Sequence, residues 1–323
     1  MDFPFTRIKG GVGAPQGFLT SAVSCGIKNP EASRLDLALI YSEKPCASAG
    51  AFTTNRVKAA PVRVSQSHLR KGELRAIVAN SGNANACTGV QGIEDANAMC
   101  DAVAVPLGLK RSQIGVCSTG VIGLPMPITR ITPRADELVS KLGPKNGPDV
   151  AAAIMTSDTR PKEVAISFDL GEHRVRIGGC VKGAGMISPS MATMLCFITT
   201  DANLPGECLR KSVLECVEES FNRITIDGDM STNDTVMVLA NGASGMPPIR
   251  RNGKRCRQFR EALRWVMLEL AKAVVRDGER VTKFVTVNVA GARTYLDAKK
   301  VAEAVCKSAL VKSSWNGGDP NWG

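Results

Sequence analysis

The sequence predicts an α/β fold, in looser terms α+β, with mixed sheets flanked by helices. Three observations carry that prediction. Short apolar runs alternate along the chain with longer segments whose apolar residues recur at helical spacing. Loops rich in glycine and other small residues separate them. The 323 residues are 44% hydrophobic, 22% charged and 4% aromatic, enough to bury a sizeable core as one large domain or two.

Taken in order, RLDLALIY at 34–41 alternates apolar and polar residues and reads as a half-buried strand. LRAIV at 74–78 is a short buried strand that runs into the loop NSGNANACTG at 80–89. Residues 93–108 read as a helix ended by Pro106 and Gly108. IGVC at 114–117 is a strand ending at the loop STGVIG, and two helices follow near 132–143 and 148–155. EVAISFDL and HRVRIGGCVKG form two antiparallel strands joined at Gly171 and Glu172. MLCFITTDA, 194–202, is a buried strand, and 207–224 has helical spacing. TVMVLANG is a strand, 258–278 a long helix, KFVTVNVAGA at 283–292 a strand and 297–311 a helix. The tail SSWNGGDPNWG has no periodicity.

Several classes are excluded by composition. The longest apolar runs, such as TVMVLA at 235–240, fall far short of the ~20 residues of a membrane span. The start MDFPFTRIKGG has no apolar stretch of signal-peptide length, so a cytoplasmic location is expected. Eleven cysteines without a CxxC pair read as reduced, buried small hydrophobes. The two histidines, His68 and His173, stand in polar settings and read as surface residues. No metal is expected. Asp227, Asp229 and Asn233 superficially resemble a calcium loop but lack its glycine and closing glutamate. GGVGAPQGF lacks the Lys-Ser/Thr of a phosphate-binding loop. The net charge is +11, with one cluster at Arg250, Arg251, Lys254, Arg255, Arg257 and Arg260. No aromatic residues are interleaved with it, which argues against nucleic acid. A solvated helix start, an acidic partner and a coenzyme phosphate all remain open for it.

The segment with most chemistry is KGAGMISPSMATMLCFITTDA, 182–202: a glycine-rich loop, a proline turn, then a strand beginning near Thr193. If the bond between Ala192 and Thr193 is cut, the Thr193 hydroxyl lies beside its own free α-amine. That amine serves as a local base and activates an otherwise weak nucleophile. Read alone, the segment is equally a tight turn leading into an ordinary strand. CSTGVIG at 117–123 offers Thr119 and Gly120 at a strand end, as an oxyanion hole or as a plain turn. IMTSDTRPK at 154–162 is dense in hydroxyls, and the turn at Asp277, Gly278 and Glu279 offers a carboxylate to a substrate amine.

The segments GGVGAPQGF, AGAFTTNRVKAAPV, IVANSGNANACTG, CSTGVIG, IMTSDT, KGAGMISPSMATML, IDGDMSTNDTV, DGERVTKF and DPNWG occur in that order over nearly the whole chain. Together they resemble the arginine-biosynthetic ornithine acetyltransferase, or glutamate N-acetyltransferase, family. The resemblance implies a four-layer α-β-β-α sandwich and self-cleavage between Ala192 and Thr193. It implies a heavy fragment 1–192, a light fragment 193–323 and an assembly of two of each. It further implies Thr193 as the acetyl-accepting nucleophile, Thr119 and Gly120 as the oxyanion hole, and Thr156, Lys182, Thr193 and Glu279 as substrate contacts. The reaction implied is ping-pong: the acetyl group passes from N2-acetylornithine to Thr193 and on to glutamate. No cofactor is expected, though some members take acetyl-coenzyme A as a donor substrate. Two departures stand out. Ser188 and Ser190 occupy positions where the family has Ala and Asn. Family chains also continue past DPNWG with further strands and with an Asn and a Thr that contact substrate, so a shortened and inactive form is one alternative. A terminal-threonine amidohydrolase or aminopeptidase, with water as acceptor, is the other.

Overall fold

A computed structural model describes residues 4–72, 74–188, 194–251 and 253–320. Its strands in chain order are β1 (Phe5–Ile8), β2 (Phe18–Val23), β3 (Leu37–Ser42), β4 (Ala47–Phe52), β5 (Ala76–Asn83), β6 (Ile114–Val121), β7 (Lys162–Leu170), β8 (His173–Lys182), β9 (Leu195–Thr200) and β10 (Thr235–Ala240). The α-helices are α1 (Ala60–Lys71), α2 (Gly89–Ala104), α3 (Ile128–Ile131), α4 (Ala135–Ser140), α5 (Gly147–Ala153), α6 (Gly206–Glu218), α7 (Lys254–Val275), α8 (Tyr295–Lys307) and α9 (Ala309–Gly317).

The strands form a six-stranded sheet, ordered β1-β7-β8-β9-β10-β4, and a four-stranded sheet, ordered β2-β3-β5-β6. Both are mixed: β9 and β10 run parallel, as do β5 and β6, and their other pairings are antiparallel. Every residue of β9 and of β10 is buried. Because side chains alternate faces along a strand, such a run must be covered on both sides. Cys196 and Ile198 of β9, with Val236 and Val238 of β10, join a core that includes Leu209 and Val213 of α6 and Phe259, Leu263 and Leu270 of α7. Leu195 and Phe197, with Met237 and Leu239, point the other way and meet Phe18, Ile40, Ile77 and Cys117 of the smaller sheet. That sheet's opposite face, including Leu39, Val78 and Val116, packs under α1, α2 and α4 through Val64, Met99, Val103 and Leu138. The layers are helix, sheet, sheet, helix, as the resemblance implies.

Several elements differ from the sequence reading. β1, β2, β4 and α1 were not legible as elements. β5 and β6 run past 78 and 117 into segments read as loops, so Thr119 and Gly120 stand on a strand rather than after one. The strand expected at 283–292 is not formed. Residues 281–290 carry no regular structure and no ladder among the described residues, and Val281, Phe284 and Val285 are about two-fifths exposed (41%, 41% and 39%). A strand pattern without a partner strand leaves its backbone to water. Part of the tail is helical, since α9 extends to Gly317. His68 is buried, not on the surface: its Nδ1 lies 2.7 Å from the Ile114 carbonyl, and burial pulls its pKa below the ordinary value. Cys87 is exposed, whereas eight of the eleven cysteines are buried.

Candidate active site

The oxyanion candidate sits where β5 and β6 end together. Their register slips at Gly82 and Asn83, so that Asn83 stands opposite both Thr119 and Val121. Gly120 has φ +136°, and a Cβ there would lie 2.3 Å from the Gly82 carbonyl carbon. Only glycine fits this junction. Thr119 beside it is buried.

Thr156 follows α5, and its amide donates to Asp158 Oδ2 at 2.9 Å. The other oxygen, Oδ1, accepts from the Gly183 amide at 2.8 Å and from Lys162 Nζ at 2.5 Å. Lys162 also meets Asp277 Oδ2 at 2.5 Å, and Asp277 accepts from both the amide and the hydroxyl of Thr159. All three side chains of this triad are within 3% of complete burial. Burial alone would raise the Asp158 carboxyl, but Lys182 and Lys162 outweigh it and hold the group below the usual carboxylate range. Burial would likewise raise Asp277, and its hydrogen bonds to Lys162 and Thr159 bring it below that range.

The triad ties three loops into one wall. Asp158 fixes the start of the glycine loop that follows β8, and Asp277 stands two residues before Glu279. The Glu279 amide donates to the Ala184 carbonyl at 2.8 Å. A Cβ on Gly185 would fall 2.8 Å from the Glu279 carboxyl carbon, so the glycine makes room for that carboxylate. Lys182, at the end of β8, is buried. Burial pulls its pKa down from the ordinary lysine value, against the attraction of Asp158, Asp234 and Glu279.

These parts line one cleft of about 680 Å³ whose walls include Thr119, Gly120, Thr156, Lys182 and Glu279. Ala192 and Thr193 lie outside the described residues. The chain resumes at Met194, whose amide donates to Asp234 Oδ1 at 3.0 Å. Leu195, the first residue of β9, pairs directly with Lys182. The chain position of Thr193 is therefore two residues before a cross-strand partner of Lys182.

The sequence reading missed several cleft residues. Lys28, Arg34 and Asp36 also line the cleft. Arg34 donates to the Met155 carbonyl and, at 3.4 Å, to the Ser81 hydroxyl, while Asp36 accepts from the amides of Cys25 and Ile27. A charged residue inside the apolar alternation of 34–41 was the available signal. Asp227 accepts from the amides of Met186 and Ile187 and fixes the loop before residue 189. Among the described residues no group of three or more His, Cys, Asp or Glu could hold a metal ion. The basic cluster lies around the start of α7, where Arg251 pairs with Glu207 and Arg260 with Glu215.

Comparison with known proteins decides the family. The model of the ArgJ family matches residues 19–323. The chain belongs to the ArgJ family. It is 49% identical over 316 residues to the arginine biosynthesis bifunctional protein ArgJ of Symbiobacterium thermophilum, covering 98% of this chain and 79% of that one. It is 46% identical over 321 residues to the glutamate N-acetyltransferase of Methanocaldococcus jannaschii, covering 98% of this chain and 77% of that one. Among solved structures, the ornithine acetyltransferase of Mycobacterium tuberculosis, complexed with ornithine, aligns with a TM-score of 0.54 at 38% identity, covering 59% of this chain and 100% of that chain. An ArgJ from Bacillus halodurans gives 0.55 at 33% identity, over 60% and 100%. The L-aminopeptidase D-Ala-esterase/amidase of Ochrobactrum anthropi aligns at 0.53 and 11% identity over 86% and 89%, a likeness of fold alone. That fold is described as a variant of the Ntn-hydrolase type. The chain is an acetyltransferase of arginine biosynthesis by family, and among its described residues no helix is long and apolar enough to cross a membrane.

Proposed function

We propose that the chain cuts itself between Ala192 and Thr193, and that the freed Thr193 carries an acetyl group from N2-acetylornithine to glutamate. The observation that carries this reading is the single cleft where Thr119, Gly120, Thr156, Lys182 and Glu279 meet beside the start of β9. In the first half-reaction the Thr193 hydroxyl attacks the acetyl carbonyl, its proton passes to the departing amine, and ornithine leaves. Glutamate's amine then takes the acetyl group from the threonine ester. Thr119 and Gly120 face the oxyanion in both halves, where one donor is worth about 3 kcal/mol. The Glu279 carboxylate receives the cationic end of ornithine, and Lys28 and Arg34 supply positive charge for substrate carboxylates. No bound cofactor enters the scheme; acetyl-coenzyme A is a second donor to be compared directly.

One further fact supports the cleavage reading. The solved family chains match over their full length yet cover 59% and 60% of this chain, the size of a heavy fragment 1–192. Four polypeptides, two heavy and two light, form the proposed assembly, which works in the cytoplasm. The test is direct. After incubation with N2-acetylornithine, peptide mapping is expected to place the acetyl group on Thr193 of a light fragment, and glutamate to discharge it faster than water. Discharge to water alone would make the protein a hydrolase, and a label on any other residue would remove the scheme.

A further inference from the structure

Among the described residues β6 is an edge strand, paired with β5 on one side only. Such a strand turns the carbonyl of every second residue away from its ladder, where some other group must satisfy it. Three successive outward carbonyls of β6 are met by side chains. His68 Nδ1 lies 2.7 Å from that of Ile114, the Ser65 hydroxyl donates to that of Val116 at 2.7 Å, and the Asn233 amide donates to that of Ser118 at 2.8 Å. His68 and Ser65 stand on α1, which packs on this sheet. Asn233 comes from the loop before β10, a strand of the other sheet. By the same alternation the next amide turned outward is that of Gly120. The second hydrogen of the Asn233 side chain goes to the Ala84 carbonyl at 2.6 Å, just past β5. Ala84 in turn donates its amide to the Val121 carbonyl at 2.9 Å. One side chain thus holds both flanks of Thr119 and Gly120, residue 118 directly and residue 121 through Ala84. The side chain is itself fixed. It is buried, and its Oδ1 accepts from the Thr232 hydroxyl at 2.5 Å. The Asn233 backbone amide donates to the Ser231 hydroxyl at 3.0 Å, and its carbonyl accepts from the Thr235 hydroxyl at 2.9 Å. Carbonyls only accept, so a single orientation of the side-chain amide serves Ala84 and Ser118 together.

We propose that Asn233 is a positioning residue for acetyl transfer, an inference that rests on the reading of Thr119 and Gly120 as oxyanion donors. It acts through the backbone of β6 rather than on the substrate. An oxyanion hole works because its donors are aimed before charge develops, so a small drift of their strand end lowers the rate without weakening substrate binding. The clamp also crosses the proposed cut. Asn233 belongs to the light fragment, and Ala84 and Ser118 to the heavy one. The pair of hydrogen bonds from Asn233 therefore ties the oxyanion strand of one fragment to the other.

The experiment is a double-mutant cycle between Asn233→Ala and Thr119→Ala, read by acetyl transfer from N2-acetylornithine to glutamate. Intact mass counts the cleaved chains, so that kcat is expressed per processed molecule. N233A is expected to lower kcat by about 10²-fold with KM near that of the wild type. Two stranded carbonyls also lower its melting temperature, so the deciding readout is the coupling. In the T119A background the same substitution is expected to cost about threefold or less, because the donor it aims is already gone. An equal loss in both backgrounds, or a loss confined to KM, overturns the proposal. Should N233A fail to fold, Asn233→Ser, whose hydroxyl keeps one donor, takes its place in the cycle, and a folded N233S of wild-type kcat overturns the proposal too. Failure of both variants to fold makes Asn233 a purely structural residue and has the same consequence. A T119A protein with unchanged kcat removes the oxyanion reading itself, an outcome distinct from all of these.

Discussion

Gly120 and Thr119 are neighbours that test different things. At Gly120 a methyl group would sit 2.3 Å from the Gly82 carbonyl carbon, at a φ that side chains rarely adopt. Gly120→Ala must therefore separate the ends of β5 and β6. Both a lower melting temperature and loss of acetyl transfer are expected, read by thermal denaturation and by a glutamate-acceptor assay. Thr119→Ala leaves the backbone where it is. The expected loss lies in kcat, by about 10²–10³, with KM close to that of the wild type. A rise in KM at constant kcat would instead make Thr119 a ground-state contact. Glu279→Gln is expected to do the reverse of Thr119→Ala: its carboxylate lines the cleft rather than the reacting end, so KM for N2-acetylornithine should rise more than kcat falls.

Between elements, the decisive device is the triad of Asp158, Lys162 and Asp277, which joins the loop after α5, the glycine loop after β8 and the turn after α7. Removing its one cation strands two buried carboxylates. Lys162→Met is expected to cost about 3–5 kcal/mol, measured by denaturant unfolding. The sign of the pH dependence is fixed by the directions already given. Asp158 and Asp277 titrate below the ordinary range in the folded chain, so their ionised forms add stability above about pH 4, and that stability is lost as pH falls through the lowered folded values. The gap between wild type and K162M should accordingly narrow below pH 4; a gap constant with pH would mean that the lost contribution is packing. The triad was only half legible in the sequence. Asp158 and Lys162 fall within the hydroxyl-dense stretch 154–162, and nothing local links them to Asp277. By contrast β9, β10 and α7 were legible because burial on both faces, or on one stripe, writes a period into the residues. β4 was not, since its small residues ASAGAF carry little pattern, and 283–292 carried a strand pattern that the fold does not use. Thr119 and Glu279 were candidates on the residues alone, Thr156 and Lys182 became substrate contacts through the resemblance, and the meeting of all four in one cleft needed the three-dimensional arrangement.

At the scale of the molecule, the strand order constrains what cleavage can do. The smaller sheet, β2-β3-β5-β6, lies wholly before residue 193, whereas the larger one interleaves the two proposed fragments. β9 and β10 come from the light fragment and sit between β8 and β4 of the heavy one. Their outer face is covered by α6 and α7, also from the light fragment, while Phe197 and Met237 fill the space between the sheets. A cut at 192 opens the backbone without releasing either ladder. To separate, the fragments would have to unpair two edges and expose both cores, which are the contacts that hold the domain folded. The two fragments are therefore expected to run as one particle in gel filtration and to part only in denaturant. Reassembly is a different matter. The uncut chain finds β9 through its covalent tether to β8, a short loop closure, and the cut fragments must find it by bimolecular encounter of two incomplete cores. Recovery after dilution from denaturant should be efficient for an uncut Thr193→Ala chain, and poor and concentration-dependent for the processed pair. Fragments that separate under native conditions, or refold as readily as the intact chain, would contradict the shared sheet on which this argument stands.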